Sequence, residues 1–345
     1  FVTGGAGFIG SNFIRMVLAL GHKHSVVNYD KLTYAGNLAN LECVAQDPRY
    51  RFVKGDICDA HAVEAAMTGC TAVVHFAAES HVDRSIYEPA AAIQTNVTGT
   101  FALLQAAKKL AVAKFVHIST DEVYGDMAPD RFSDENTPIH PSSPYSASKA
   151  SSDLLVHSYV RTYGFPGVIT RASNNYGPYQ FPEKFLPLLI SNLIDDKPLP
   201  IYGDGKQQRD WLHVEDHCRG ILAVLERGQI GEVYNIGGAD IVENITMAKA
   251  LLKEMDKPET LLTYVKDRPG HDRRYSLDCK KIENELGWKP QIPLEQGLRQ
   301  TIDWYRTKTT WVESVRDGEY RTYYEKYYDK RDSSLHATAH SGHKS

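Results

Sequence analysis

The chain has 345 residues, 42% hydrophobic and 24% charged, with a formal net charge of −4. One hydrophobic core does not usually fill that length, so two lobes are expected. The mild acidity argues against a general nucleic-acid or membrane-surface protein but leaves room for a local basic pocket. Five scattered cysteines, Cys43, Cys58, Cys70, Cys218 and Cys279, include no Cys-x-x-Cys pair. Neither a disulfide framework nor a metal site is expected, and a reducing cytoplasm fits. No apolar run approaches the ~20 residues of a membrane span.

The chain opens at Phe1-Val2 as if inside a strand, so a few residues are expected upstream. A helix is expected over 10–21, then strands at Val26–Asp30 and Arg51–Asp56 around a short loop region. Helix 59–68, strand Ala72–Phe76, helix 90–110, strand Lys114–Ile118, helix 144–163 and strand Gly167–Arg171 follow. Alternation of this kind predicts an α/β fold with a Rossmann-type doubly wound parallel sheet. After Asn175-Tyr176-Gly177-Pro178 the texture changes. Prolines recur at 182, 187, 198 and 200, and Val233–Ile236 reads as one more strand. The expected organisation is a cofactor lobe of 1–173 with about 210–236, and a smaller mixed α/β substrate lobe of about 174–209 and 237–330. Residues 331–345, with His336, His340 and His343, read as a solvated polar tail.

Thr3-Gly4-Gly5-Ala6-Gly7-Phe8-Ile9-Gly10 places glycines at 4, 7 and 10 between a strand and a helix. Such a loop brings main chain close to a pyrophosphate at a helix amino terminus. The Gly-x-x-Gly-x-x-Gly spacing resembles the short-chain dehydrogenase/reductase superfamily. Asp30 ends the second strand twenty residues after Gly10. A carboxylate there accepts both adenosine ribose hydroxyls and repels a 2′-phosphate, which favours NAD over NADP. Asp56-Ile57, which ends the third strand, is placed to frame the adenine.

Tyr145 and Lys149 lie four apart on one helix and share a face. A tyrosine that works as a base near neutrality needs a pKa depressed by roughly 3 units, or ~4 kcal/mol. A cation ~5 Å away contributes ~3 kcal/mol at an effective dielectric of about 20, and Lys149 and an oxidised nicotinamide are two such cations. Thr120 would stand between phenol and substrate hydroxyl as a relay. Asp121 and Glu122 are superfluous to hydride transfer and point to a second step. Once carbon 4 of a hexose is oxidised, a base can take the carbon 5 proton and an acid can protonate the leaving hydroxyl of carbon 6. Two crowded carboxyls split their pKa values to suit those roles, Glu122 as base and Asp121 as acid. Both reach one sugar only if the strand ends at Ser119 and the chain turns.

Ser119-Thr-Asp-Glu-Val-Tyr-Gly125, Tyr145-Ser-Ala-Ser-Lys149, the stretch Ala77–Ser85, Ser173–Pro178 and Asp267–Tyr275 together resemble the dTDP-glucose 4,6-dehydratases, which are extended short-chain dehydrogenase/reductases. The resemblance runs to about residue 328. It implies a redox-neutral lyase in which tightly held NAD takes hydride from carbon 4, water leaves across carbons 5 and 6, and hydride returns to carbon 6. Thr120, Asp121, Glu122, Tyr145 and Lys149 would carry the chemistry. The expected cofactor set is Gly4, Gly7, Phe8, Ile9, Gly10, Asp30, Lys31, Thr33, Asp56, Ile57, Ala77, Ala78, Thr95, Tyr145, Lys149 and Asn175. Ser80, His81, Asn174, Glu183, Lys184, Arg209, Asn244, Arg268 and His271 would hold dTDP-glucose or a close nucleotide sugar, with Thr120. Arg209 and Arg268 also suit a diphosphate by their fork geometry. Pro200 and Tyr202 offer the base a flat wall or serve as plain packing. Trp211 and His213 read as core.

The resemblance also implies a homodimer paired through helices 90–110 and 144–163, whose stripes include Leu103, Leu104, Ala107, Leu154, Leu155 and Tyr159. A 4-epimerase or a glucuronate decarboxylase of the same fold would need the tyrosine–lysine pair but not Asp121 and Glu122. A nucleotide-sensing module without turnover would need neither.

Overall fold

The computed structural model describes residues 1–21 and 24–316. The large sheet begins with β1 (Val2–Thr3) and, beyond α1 (Phe8–Ala19), β2 (Val26–Asp30) and the edge strand β3 (Tyr50–Lys54). Helix α2 (Ala60–Met67) leads to β4 (Ala72–His75), and a helical stretch follows as α3 (Val82–Tyr87), α4 (Pro89–Ala92) and α5 (Thr100–Lys109). Strand β5 (Lys114–Thr120), α6 (Pro144–Tyr163) and β6 (Gly167–Ala172) complete the first half. All seven strands of the large sheet run parallel, in the order β10-β6-β5-β4-β1-β2-β3, where β10 is Val233–Ile236. The chain winds outward from β1 in both directions, so the switch point lies between β1 and β4. Ligands of such sheets bind there, beyond the carboxyl ends.

The smaller structures are a three-stranded sheet of β7 (Asn174–Tyr176), β9 (Gln208–His213) and β11 (Ile241–Glu243), and a pair of β8 (Leu199–Tyr202) with β12 (Leu262–Val265). Helices α7 (Phe185–Ile194), α8 (Val214–Arg227) and α9 (Asn244–Glu254) lie among them, followed by helices over Lys280–Leu286, Leu294–Thr307 and Thr309–Arg316. Strand β9 runs across residue 210, where the sequence alone suggested a return to the first lobe. The return is made by α8, whose Ile221 and Val224 join Ile14, Val116 and Val168 on one face of the large sheet. Leu103, Leu104, Phe115 and Val156 pack the other face. Leu189, Leu193, Leu251, Ile302 and Trp311 build a separate core in the carboxyl half.

Two local departures bear on the site. The third strand ends at Lys54, so Asp56 sits in the loop beyond it. The expected helix 90–110 begins at Pro89 and is interrupted by a π turn over Ile93–Gly99. Insertions of that kind free main-chain groups for other partners. Here the Asn96 carbonyl accepts the hydroxyls of Thr100 and Ser152, both at 2.6 Å. The Asn96 side chain clasps the main chain of Glu79 on both its N–H and its carbonyl, at 2.8 and 2.9 Å. The π turn therefore joins the loop after β4 to α6. Leu103, Leu104, Ala107 and Tyr159 of the expected pairing stripes are buried in the chain's own core, whereas Leu154 remains 59% exposed, and Ile93 and Phe101 are exposed as well. The His-rich tail lies outside the described residues.

Candidate active site

A cavity of about 310 Å³ opens at the switch point. Every residue of the expected cofactor set lines it. Its first wall is the β1–α1 turn. Gly4 has φ +68°, and a Cβ there would stand 2.6 Å from the Ala77 nitrogen. A Cβ on Gly10 would stand 2.4 Å from the Gly4 carbonyl oxygen. At Gly7 the nearest neighbour would be 3.3 Å away, so its lack of a side chain leaves space above the helix. Gly7 is the N-cap of α1 and supplies no side-chain cap, and the first turn holds no acidic residue. Uncapped N–H groups at a helix start attract an anion. Asp30 accepts the N–H of Ala6 at 2.9 Å and of Leu32 at 2.8 Å. Burial raises its pKa against those bonds. A carboxylate offers about four acceptor sites, so two bonds leave capacity for ribose hydroxyls. Asp56 accepts the Cys58 N–H and pairs with Lys31 at 2.7 Å. These residues fit a dinucleotide: a tight glycine turn, free N–H donors and a carboxylate fixed beyond the second strand.

The opposite wall is catalytic in character. Strand β5 ends at Thr120, one residue later than the sequence suggested, and Asp121–Tyr124 form a single 3₁₀ turn. The turn breaks the strand's alternation and brings Thr120, Asp121 and Glu122 to the same cavity. Gly125 closes it at φ +75°, where a Cβ would strike the His140 carbonyl at 2.1 Å. Helix α6 starts on a Ser143–Ser146 capping box with Pro144 in its first turn, which fixes Tyr145 near the amino end. The Ser85 hydroxyl accepts the Tyr145 N–H at 3.1 Å.

Burial raises the pKa of Asp121 far above the usual carboxylate range, and Glu122 and Asp210 push it further. Burial also raises Glu122, but Arg268, Lys184 and Arg209 pull it back. The neighbours therefore divide the pair in one direction, with Asp121 the stronger holder of a proton. Asp210 contributes as a third buried carboxyl, itself raised to about 6 by burial.

The protein's own groups oppose ionisation of Tyr145. Burial raises its phenol, and Glu122 and Asp121 raise it further; a hydrogen bond with Thr120 opposes them weakly. Lys149 instead donates to the Ile118 carbonyl at 2.7 Å, and burial lowers its pKa to about 8. In this state the phenol is held neutral and ready to donate. The lysine alone does not make it a base.

Ser80, Asn174, Glu183, Lys184 and Thr120 of the expected substrate set line the cavity; His81, Pro200, Tyr202, Arg209, Asn244, Arg268 and His271 do not. Most of the second group form an adjoining cluster. Arg268 contacts Asp83 at 3.2 Å, and the Tyr202 hydroxyl donates to the same carboxylate at 3.0 Å. The His271 ring stands edge-on to Tyr202 and meets Asp267 at 2.6 Å. Arg209 donates to the Asp272 carbonyl and lies 4.4 Å over the Tyr275 ring. Both arginines act on Glu122, so the cluster abuts the acid pair. The His81 ring lies 3.3 Å from the Glu183 carbonyl, beneath the cavity wall. Glu183 engages Arg84 at 3.0 Å, and Lys184 donates to the Ser80 carbonyl at 2.6 Å. Asn244 opens α9 with its N–H on Gln207, and Pro200 is half-buried in β8. Trp211 and His213 are buried.

Glu79, Ser119, Ser173, Gln180, Phe181 and His217 also line the cavity, and the sequence reading missed them. His217 bonds Asn175 at 2.9 Å, and burial lowers its pKa to about 3. It lies on α8, far along the chain from any motif. Glu79 stands inside the quoted Ala77–Ser85 stretch and could have been found there.

Comparison with known proteins agrees with this geometry. A dTDP-glucose 4,6-dehydratase of Shigella flexneri is 51% identical over 96% of this chain and 99% of its own. The chain belongs to the dTDP-glucose 4,6-dehydratase family. A broader family model, described as GDP-mannose 4,6 dehydratase, matches residues 1–301. Within the dTDP-glucose 4,6-dehydratase family, the crystal structure of DesIV from Streptomyces venezuelae, with NAD and TYD bound, superposes with a TM-score of 0.90 at 51% identity. It covers 91% of this chain and 98% of that one. A UDP-glucose 4-epimerase from Thermotoga maritima shares the fold more distantly, at 31% identity and a TM-score of 0.83, over 89% of this chain and 98% of its own.

Proposed function

We propose that this protein converts dTDP-glucose to dTDP-4-keto-6-deoxyglucose with NAD as its resident cofactor. The carrying observation is the 3₁₀ turn after β5, which places two carboxyls of unequal proton affinity beside Tyr145. Relatives about 50% identical over nearly the whole chain carry this activity in their names. The 4-epimerase and decarboxylase readings leave Asp121 and Glu122 without work, and the 31% identity to an epimerase favours them less.

When bound, NAD supplies a reversible acceptor for one hydride. Gly4, Gly7, Gly10 and the start of α1 would hold its pyrophosphate, and Asp30 its adenosine ribose. With the positively charged nicotinamide beside it Tyr145 would work as the phenolate and take the proton of the sugar's carbon 4 hydroxyl, which Thr120 would hold between them. Lys149 lies one turn along the same helix face and would hold the nicotinamide ribose. Glu122 takes the carbon 5 proton, and its pull toward ionisation by Arg268, Lys184 and Arg209 suits that task. Asp121 keeps a proton for the carbon 6 oxygen, which leaves as water. The arginine cluster at Arg209 and Arg268 receives the diphosphate, and Tyr202 and Pro200 flank the base. This reading assigns residues 1–173 with about 210–236 to the cofactor, and about 174–209 with 237–330 to the nucleotide sugar.

We further propose a homodimer joined through the outward faces of Pro89–Lys109 and α6, where Ile93, Phe101 and Leu154 are exposed. A cytoplasmic location suits the five free cysteines. No helix among the described residues is long and apolar enough to cross a membrane.

The decisive experiment incubates the protein with dTDP-glucose in deuterated water. The expected product is a ketone carrying deuterium at carbon 5, with no net reduced cofactor. Unchanged sugar with its hydrogen retained overturns the reading, and an epimerised or decarboxylated sugar transfers it to the sister activities.

A further inference from the structure

The two catalytic elements are joined underneath by buried groups that do not line the cavity. Asp153 lies on α6 one helical turn beyond Lys149 and is fully buried. Arg171 on β6, only 2% exposed, donates from Nε to Asp153 Oδ2 at 2.9 Å. The same guanidinium donates from Nη1 to the Tyr124 hydroxyl at 3.0 Å. Its carbon lies 4.8 Å from the centre of that ring. The Tyr124 hydroxyl in turn donates to Asn235 Oδ1 at 2.8 Å, and the Asn235 amide is fixed on the Ser133 carbonyl. Tyr124 is the last residue of the 3₁₀ turn that carries Asp121 and Glu122. One unbroken run of bonds therefore leads from the helix of Tyr145 and Lys149, across β6, to the turn of the acid pair.

Packing alone does not explain this arrangement. A buried ion pair costs much of what it gains, and apolar residues of similar volume hold a core as well or better. What such a pair adds is direction: an arginine fork accepts partners only in its own plane. Here the fork's two ends meet the two halves of the machinery. The turn is a single 3₁₀ cycle of four residues, a geometry with weak internal bonding. Val123 and Tyr124 also pack against Ala150 of α6 and the His140 N–H donates to the Val123 carbonyl; the Arg171 run adds a directional tie to that packing.

We infer that the Asp153–Arg171–Tyr124 run is a positioning device that keeps the acid pair aligned with the Tyr145–Lys149 helix, so that a sugar oxidised by one element is dehydrated by the other before it escapes. The inference rests on the function proposed above. Asp153, Arg171 and Tyr124 are positioning residues and touch no reacting atom. The consequence is specific to the order of steps. Oxidation at carbon 4 needs Thr120, Tyr145 and Lys149 alone, and Thr120 is held at the end of β5 by pairing with Ala172 of β6. Elimination needs Glu122 and Asp121 as well, and these hang on the turn.

The test compares wild type, Tyr124→Phe and Asp153→Asn in single turnovers with dTDP-glucose. The near-ultraviolet absorbance of reduced nicotinamide follows oxidation, and product analysis separates the 4-keto sugar from its 6-deoxy form. Displacement of a catalytic group by about 1 Å costs on the order of a hundredfold. Tyr124→Phe should therefore oxidise within about threefold of wild type but dehydrate tenfold or more slowly; Asp153→Asn, which also removes the charge acting on Lys149, should slow dehydration more than oxidation. Reduced cofactor then accumulates and undehydrated 4-keto sugar appears. Amide exchange at Val123 to Gly125 should quicken in both. If both steps slow by the same factor, or neither slows, the inference is overturned while the function stands. A wild-type chain that makes no ketone overturns the function itself. Tyr124→Phe removes one oxygen, so it decides the matter alone should Asp153→Asn fail to fold.

Discussion

At the β1–α1 end of the cavity the working groups are main-chain N–H donors, and two glycines stand where any side chain would collide with backbone. At the β5–α6 end they are ionisable side chains, and their state is set by burial and by one another. The first end is specified by volume, so it tolerates changes of charge better than one added methyl. The second is specified by proton affinity, so an isosteric change of charge is the damaging one. A cofactor kept through every cycle needs only a fixed cradle, whereas a substrate that changes its charge at each step needs groups that can change theirs.

Isosteric substitutions at the acid end should produce the largest effects. Tyr145→Phe is expected to lower kcat by about a hundred- to ten-thousandfold while NAD binding, measured by calorimetry, stays near wild type. Glu122→Gln should slow dehydration over a similar range yet leave oxidation running, seen as reduced cofactor that persists. At the cradle the order reverses. Gly10→Ala forces the Gly4 carbonyl aside, at a cost of about 1–3 kcal/mol, and should weaken NAD by roughly ten- to a hundredfold. Its catalytic step, measured at saturating NAD, should change little. If Gly10→Ala instead damaged catalysis more than binding, the division between the two ends would fail.

A subtler effect follows from proton linkage. The folded chain holds the Asp121 proton more tightly than the unfolded chain, whose carboxyl has an ordinary value near 3.8. The stability this contributes is full below that value and is lost as pH rises through the raised folded value. Asp121→Asn should therefore lose less Tm than wild type between acid and neutral pH, and melt higher at neutrality, while dehydrating poorly. In the wild type, kcat should rise with pH as Glu122 ionises and fall as Asp121 does, and Asp121→Asn should lose the falling limb. The smallest effect is expected at Lys31→Ala. Its pair with Asp56 is largely exposed, so it should change stability by less than about 1 kcal/mol.

The order of elements was legible because β-branched runs and helical stripes alternate clearly through residue 172. The glycine turn and Asp30 could be read for the same reason, since main-chain geometry is written in local spacing. The acid pair was legible as residues but not as geometry: that β5 ends at Thr120 and continues as a 3₁₀ turn depends on Gly125 fitting against His140. The π turn at Ile93–Gly99 was not legible at all, because its stabilising partners, Glu79 and Ser152, are distant in sequence. At Tyr145 the nearby cation was legible, but the desolvation and the two carboxylates that oppose it were not. Those terms depend on burial, which no local motif records. Arg209 and Arg268 were read as diphosphate forks, but their anchoring on Asp272 and Asp83 came only from the folded chain.

Asp30 has one more consequence. Its two oxygens are already tethered to the Ala6 and Leu32 N–H groups, and the Gly36 Cα faces the same carboxylate so closely that a Cβ there would sit 3.0 Å from Oδ1. Each oxygen carries its own tether, Oδ2 to Ala6 and Oδ1 to Leu32. Redesign toward the phosphorylated coenzyme therefore cannot succeed by swapping this residue for a smaller or basic one alone, because the loop of residues 31–36 would lose its anchor in the same stroke. Coenzyme switching here has to begin with that loop and end with the acid.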